Sequence, residues 1–354
     1  MLTQRLRSGL EMGEAFLESS RSEDGLWRDF KTLAGLSSDW VTGFVSYALI
    51  QAGAKPSLAS TLLCLAERQR ENGGWAYNRT VPTDCDSTAW VVLALSSDPL
   101  SHSAAIDRGI RYIRAHQAMP GGGFSTYSSS DRIEAYIGKT DVASVQGWTQ
   151  PQTCVTAVAL QAVLSQEAQQ NDPCVDNALA FLKGNREPSG IWGSYWWSGN
   201  AYSTYHALRA LTGAGAIRSC EQVESAQELE RRFCGSLRAG AGSQENAAAF
   251  EAAFVLLALL LILDTSNCSA AERLALRLLD QQNPDGSWPA TPVLRISPPL
   301  TINPDRRRNW HGGTGTGIII PDQCRCFTTA AVLWALGAYQ SKVEGGYQPA
   351  DRCS

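Results

Sequence analysis

The 354-residue chain has no surplus of basic charge: 30 Lys and Arg stand against 34 Asp and Glu, for a net charge of −4. With no Lys/Arg-rich stripe either, there is no electrostatic case for a nucleic-acid partner. A long apolar run is also missing. The longest, Phe254 to Leu263, follows Glu251 and is too short to span a bilayer. It reads as a fully buried helix, with peripheral membrane contact left open. The first residues, Met1-Leu2-Thr3-Gln4-Arg5-Leu6-Arg7, lack the apolar core of a signal peptide. The ten cysteines lack regular short spacing, so reduced thiols and a cytoplasmic location, with membrane association open, are the expectation. The glycine-rich segment Gly312 to Gly317 is not a phosphate-binding loop, because no Gly-Lys-Ser/Thr follows. What is present, 44% hydrophobic and 18% charged residues, suits a globular protein with a substantial core.

The chain repeats itself. A loosely kept octet, Thr-Ala-x-x-Leu-x-Ala-Leu, begins at Thr42, Thr88, Thr156, Thr204, Ala252 and Thr329. Most copies follow a Gly-x-aromatic turn: Gly25-Leu26-Trp27, Gly73-Gly74-Trp75, Gly122-Gly123-Phe124, Gly190-Ile191-Trp192 and Gly286-Ser287-Trp288. Ahead of the turns come amphipathic segments such as Leu62 to Gln69, Ile110 to Gln117, Ala178 to Asn185 and Leu274 to Gln282. The fifth copy, around Phe233 to Ser243, has lost the turn but keeps its apolar helix. Each unit is therefore an amphipathic helix, a turn and a nearly all-apolar helix that only neighbouring units can cover. Six such pairs without polar capping repeats predict an all-α, single-domain (α/α)6 toroid over residues 1–354. Long insertions at about 125–152 and 289–325 fall in the third and sixth copies, opposite each other, and are expected to lid one end.

Comparing equivalent positions singles out one residue. Two residues before the Thr position stand Trp40, Asp86, Cys154, Tyr202, Phe250 and Phe327. Five are aromatic or soft and one is an acid. If they form a layer at the barrel mouth, Asp86 faces a wall of π-systems, each able to stabilise a cation by about 0.5–2 kcal/mol. An acid there can make that cation by protonating an alkene. Alkenes are poor bases, so the carboxyl must be neutral and poorly solvated. Burial and an ionised Asp84 both raise the pKa of Asp86. The start of a helix, with hydrogen bonds from Ser87, Thr88 or Cys154, would support the anion left behind. The plain alternative is that Asp84 or Asp86 only caps the helix.

At these residues the chain resembles the class II terpene cyclases, squalene–hopene cyclase among them. Asp84-Cys85-Asp86-Ser87-Thr88-Ala89 is similar to their Asp-x-Asp-Asp-Thr-Ala motif. Gln69 to Trp75 and Gln282 to Trp288 resemble their QW repeats, with degenerate copies at Gln117 to Phe124 and Asn185 to Trp192. The resemblance implies that Asp86 is the proton donor and Asp84 its supporting carboxylate. Ser87 departs from the bacterial pattern, as the oxidosqualene cyclases of animals and plants also do at that position. A chain with room for one toroid is most similar to the single-domain class II cyclases that close meroterpenoids. That implies a small-molecule substrate, a polyprenyl chain on an aromatic acid, cyclised without metal or cofactor.

Other expected site residues follow. Trp90, Trp148, Trp196, Trp197 and Trp310 join Trp40, Tyr202, Phe250 and Phe327 as candidate cavity lining. Arg306, Arg307, Arg308 and His311, in the sixth insertion, are candidates to hold an anionic head group; a solvated loop is the bland alternative. A prenyl diphosphate substrate is the enzymatic rival and would bring Mg²⁺. Asp322-Gln323-Cys324 resembles the zinc ligands of protein prenyltransferase β-subunits, with His206 or His311 needed as a third ligand; structural polar residues are the favoured reading, so no metal is expected. His206 reads as a satisfied buried histidine. A toroid serving only as a binding surface would leave the lone acid unexplained. Oligomeric state is not readable from the sequence.

Overall fold

The computed structural model describes residues 2–54, 58–139, 141–166, 171–238, 248–262 and 268–345. Its helices are α1 (Leu2–Ser20), α2 (Asp39–Ala52), α3 (Ala59–Glu67), α4 (Cys85–Leu95) and α5 (Pro99–Ala115). The one-turn helices α6 (Ile133–Tyr136) and α7 (Gln146–Thr149) lie within the third insertion. Then come α8 (Thr153–Leu164), α9 (Pro173–Gly184), α10 (Ala201–Gly213), α11 (Ser219–Arg238), α12 (Ala248–Leu261), α13 (Cys268–Asp280) and α14 (Cys326–Glu344). Every repeated octet starts within an inner helix. These pack as a closed ring, α2 on α4, α4 on α8, α8 on α10, α10 on α12, α12 on α14, and α14 back on α2. The other long helices, α1, α3, α5, α9, α11 and α13, lie outside the seams of this ring. The all-α toroid of six pairs is therefore the architecture found.

The two helix types behave as their sequences require. Ten of the eleven residues of α4 are buried, all but Asp86, whereas α5 buries one stripe, including Ala105, Ile106, Gly109, Tyr112 and Ile113, at the helical spacing of an outer element. Asp98-Pro99 and Asp172-Pro173 begin α5 and α9. Each Asp side chain accepts a backbone N–H of the first turn, and the proline's missing N–H costs nothing at that position.

The turn signature has a single physical explanation. In five copies the turn's aromatic residue donates its backbone N–H to the Thr hydroxyl of its own inner helix: Trp27 to Thr42 (3.0 Å), Trp75 to Thr88 (2.9 Å), Phe124 to Thr156 (2.8 Å), Trp192 to Thr204 (3.1 Å) and Trp288 to Thr329 (3.1 Å). The four indoles donate Nε1–H back to outer-helix carbonyls, as Trp75 does to Leu65 at 2.7 Å. The Gln side chains bridge repeats: Gln69 donates to Gly73 O and to Ala105 O on the next outer helix, and Gln282 to Gly286 O and Gly9 O. Gly73 has φ +87°, and a Cβ there would lie 2.7 Å from Arg108 O. Backbone and neighbour together therefore require glycine. The turn of the fifth copy falls in residues 239–247, outside the described residues.

Three short antiparallel hairpins top one end of the ring: β1 (Asp29–Thr32) with β2 (Gly35–Ser37), β3 (Trp75–Ala76) with β4 (Thr83–Asp84), and β5 (Pro292–Ile296) with β6 (Ile318–Pro321). The two insertions meet there. Gly147 N–H donates to Pro299 O (2.7 Å), Trp148 Nε1–H to Ser297 O (2.9 Å) and the Gln150 amide to Ile302 O (2.7 Å). Among the described residues no helix is long and apolar enough to cross a membrane, and the described cysteines are free thiols.

Thr156→Val keeps shape but leaves the buried Phe124 N–H without its acceptor. Urea denaturation is expected to show a loss of about 1–3 kcal/mol; an unchanged midpoint would contradict the pinning role.

Candidate active site

A cavity of about 760 Å³ opens at the end covered by the insertions, within the range of small-molecule sites. Its wall is mostly apolar and aromatic: Trp40, Tyr77, Tyr127, Trp148, Trp196 and Trp197, with Val81, Ile133, Leu294 and Ile296 between them. The deep side is buried, with Trp197 2% and Trp40 4% exposed, whereas Leu33 at the rim is 80% exposed. Both Asp84 and Asp86 reach the cavity.

The two carboxyls have different local surroundings. Asp84 ends β4 and is the N-cap of α4: it accepts Ser87 N–H at 2.7 Å and Ser87 Oγ–H at 2.6 Å. Burial pushes it up to about 6, against the pull of the two Ser87 bonds. Asp86 sits in the first turn with its carboxyl free of such bonds. Burial and then the charge of Asp84 push it well above the usual carboxylate range. The Trp40 indole alone pulls the other way; its Nε1–H makes no hydrogen bond in the structure. Two neighbouring carboxyls in unlike surroundings can have their proton affinities pushed apart in this way.

The layer inferred from the repeats exists, but its centre is occupied. Trp197 lies across it, stacked on Tyr202 (centroids 4.3 Å), Phe250 (5.1 Å) and Phe327 (5.5 Å). Trp40, Trp148, Trp196 and Trp197 line the cavity as expected. Tyr202, Phe250 and Phe327 do not; they form the packing beneath its Trp197 floor. Trp90 is also corrected: it is fully buried below the floor, donating Nε1–H to Tyr202 OH at 3.1 Å. Trp310 is held outside the cavity between Arg295 and Arg307. Ser87 serves Asp84 rather than Asp86, and Thr88 is bonded to the turn and to Asp84 O. Burial pushes the Cys154 thiol up to about 11, with a smaller push from Asp86.

The basic run is misplaced by the sequence reading. Arg306, Arg307, Arg308 and His311 are absent from the cavity wall, because the sixth insertion presents β5 and residues 314–316 to the cavity and turns this segment outward. Asp322 is no zinc ligand in this geometry. It accepts Thr291 N–H and Thr328 N–H, both at 2.7 Å, beside Asp29, which accepts the Cys324, Cys326 and Phe327 N–H groups. Burial raises both acids, Asp29 to about 6 and Asp322 to about 8. No group of three potential metal ligands occurs among the described residues. His206 lies below the floor, with Nδ1 3.2 Å from the Gln161 amide and Nε2 unpartnered, and burial lowers its pKa well below the ordinary value.

Several functional candidates had no signal in the repeats. Tyr77 is anchored by its hydroxyl to Phe30 O. Tyr127, Tyr136 and Lys139 arrive on the third insertion. That insertion is anchored by Asp131, which accepts from Tyr112 OH (2.7 Å) and Ser128 N–H (2.6 Å) and pairs with His116 Nε2 (2.7 Å).

Residues 65–294 match the family model of the squalene-hopene cyclase C-terminal domain. The chain belongs to the squalene-hopene cyclase family. Squalene–hopene cyclase of Bradyrhizobium diazoefficiens is 27% identical over 220 residues, 54% of this chain and 33% of that protein. Drimenyl diphosphate synthase of Streptantibioticus cattleyicolor is 26% identical over 251 residues, 69% of this chain and 43% of that one. The chain thus spans less than half the length of these two curated relatives. The type II terpene cyclase MstE of Scytonema, solved in complex with its substrate geranylgeranyl dihydroxybenzoate, is similar over nearly its whole length. The identity is 27%, the TM-score 0.83, and the match covers 96% of this chain and 99% of that one.

Asp84→Asn retains a competent helix cap but removes the charge that raises Asp86. The pKa of Asp86 then falls, its neutral form is lost at lower pH, and the alkaline limb of the kcat/KM profile is expected to move to lower pH. An unmoved limb would separate Asp84 from the acid.

Proposed function

We propose that this protein is a protonation-initiated terpenoid cyclase acting on a polyprenylated aromatic acid. The supporting observation is the placement, on the deep side of a tryptophan-floored cavity, of a carboxyl whose pKa burial and Asp84 push upward. In this reading the prenyl chain enters tail first. Asp86 gives its proton to the terminal alkene: the O–H bond breaks, a C–H bond forms, and the tertiary cation is attacked by the next alkene. Successive closures move the positive charge along the chain past Trp40, Trp197, Trp196, Trp148, Tyr77 and Tyr127. Their faces stabilise it without offering a nucleophile stronger than the substrate's own alkenes. Loss of a proton, or capture by a substrate hydroxyl, ends the sequence. The Asp86 carboxylate left behind lies in the first turn of α4, where the helix dipole favours an anion, and close to the Trp40 indole N–H.

The chemistry requires no metal. With geranylgeranyl dihydroxybenzoate as substrate and a chelator present, wild type is expected to form cyclic product, and Asp86→Asn to be slower by about 100-fold or more. Wild-type rates in Asp86→Asn would remove the acid assignment. Turnover only of prenyl diphosphates, abolished by chelator, would favour the diphosphate reading instead.

A further inference from the structure

Among the described residues three charged side chains line the cavity: Asp84 and Asp86 on its deep side, and Lys139 at its exposed rim. Lys139 follows α6 in the third insertion, where its own N–H donates to Glu134 O at 2.7 Å. Nearby acids are already engaged: Glu134 pairs with Arg132, Asp131 with His116, and Asp141 caps the following turn. The Lys139 ammonium has no ion pair among the described residues. Across the opening stand Thr314, Gly315 and Thr316, held to the first hairpin by Leu33 N–H donating to Thr314 O at 3.0 Å. The Tyr136 ring, 45% exposed, completes the rim.

We infer that Lys139 is the head-group residue of this site, pairing with a single carboxylate at the rim while the Thr314 and Thr316 hydroxyls meet the head group's remaining polar atoms. The inference rests on the cyclase reading and deepens it. Its consequence is directional: an ionised Asp84 on the deep side repels an anionic head and Lys139 on the rim attracts it, so the neutral prenyl tail is the end that reaches Asp86. Its second consequence is specificity. One ammonium balances one carboxylate. A diphosphate would bring further negative charge to a cavity whose lining holds no second cation among the described residues, Arg295 being committed to Asp305 and Ser194 O. Tyr136 offers a ring face to an aromatic acid, which a diphosphate would not use.

Binding can be read without catalysis, by tryptophan fluorescence of the Asp86→Asn protein, so a failed acid assignment leaves this result untouched. The ligands are geranylgeranyl dihydroxybenzoate, its methyl ester and geranylgeranyl diphosphate. The acid is expected to bind about 10-fold or more tighter than either of the others, the worth of one charge-assisted contact. Adding Lys139→Met is expected to reduce the acid to the affinity of its ester and leave the ester unchanged, while Lys139→Arg preserves the preference. An acid-to-ester ratio unaltered by Lys139→Met, or tighter binding of the diphosphate than of the acid, would overturn the assignment.

Discussion

The hydrogen bond from each turn's aromatic N–H to the threonine hydroxyl of its inner helix is the constraint on which the rest depends. It fixes how far five of the six inner helices rise toward the covered end of the ring. In the second copy, Trp75 N–H on Thr88 sets the height of α4 and thereby places Asp86, two residues earlier, in the same layer as the aromatic residues of the other copies. The position of the proposed acid is thus inherited from a structural repeat. Gln69, Gln117 and Gln282 tie three of the turns to the next outer helix.

What the ring does not provide, the insertions and turns supply. An open layer of Trp40, Tyr202, Phe250 and Phe327 would leave a channel running down the barrel. Trp197 closes it by stacking on three of them, and the barrel below is packed with Phe44, Trp90, Phe254, His206 and Trp334. The result is a short, mostly apolar cavity whose surroundings disfavour a carboxylate anion. Desolvation is the first cause of the raised Asp86, and the nearby Asp84 is the second. The same Ser87 bonds that make Asp84 a helix cap also favour its ionised form, so capping and tuning are one arrangement.

The six-fold repeat, the inner and outer helices and the lidded end were all legible in the sequence because each rests on a pattern that recurs within the chain. The placement of Asp86 at the cavity was legible for the same reason: five other copies marked the layer its position belongs to. The lining was only half legible. Trp90 and Tyr202 look like any cavity aromatic in sequence, and only the reach of Trp197, from the stretch ahead of α10, decides that they lie under the floor. Lys139 and Tyr127 belong to an insertion with no counterpart in other copies, so comparison between repeats had nothing to compare. The run Arg306 to Arg308 drew attention by charge alone, and charge does not specify which side of a loop faces inward.

The central claim is that Asp86 is a neutral carboxylic acid at neutral pH. Infrared difference spectroscopy of wild type against Asp86→Asn, near pH 7 and without ligand, tests it most directly. Asp84 and the buried Asp29–Asp322 pair are common to both proteins and cancel. The difference spectrum is expected to show the loss of a protonated carboxyl carbonyl band in the variant, with no loss of carboxylate absorption. Loss of a carboxylate band instead would mean that Asp86 is ionised and has no proton to give.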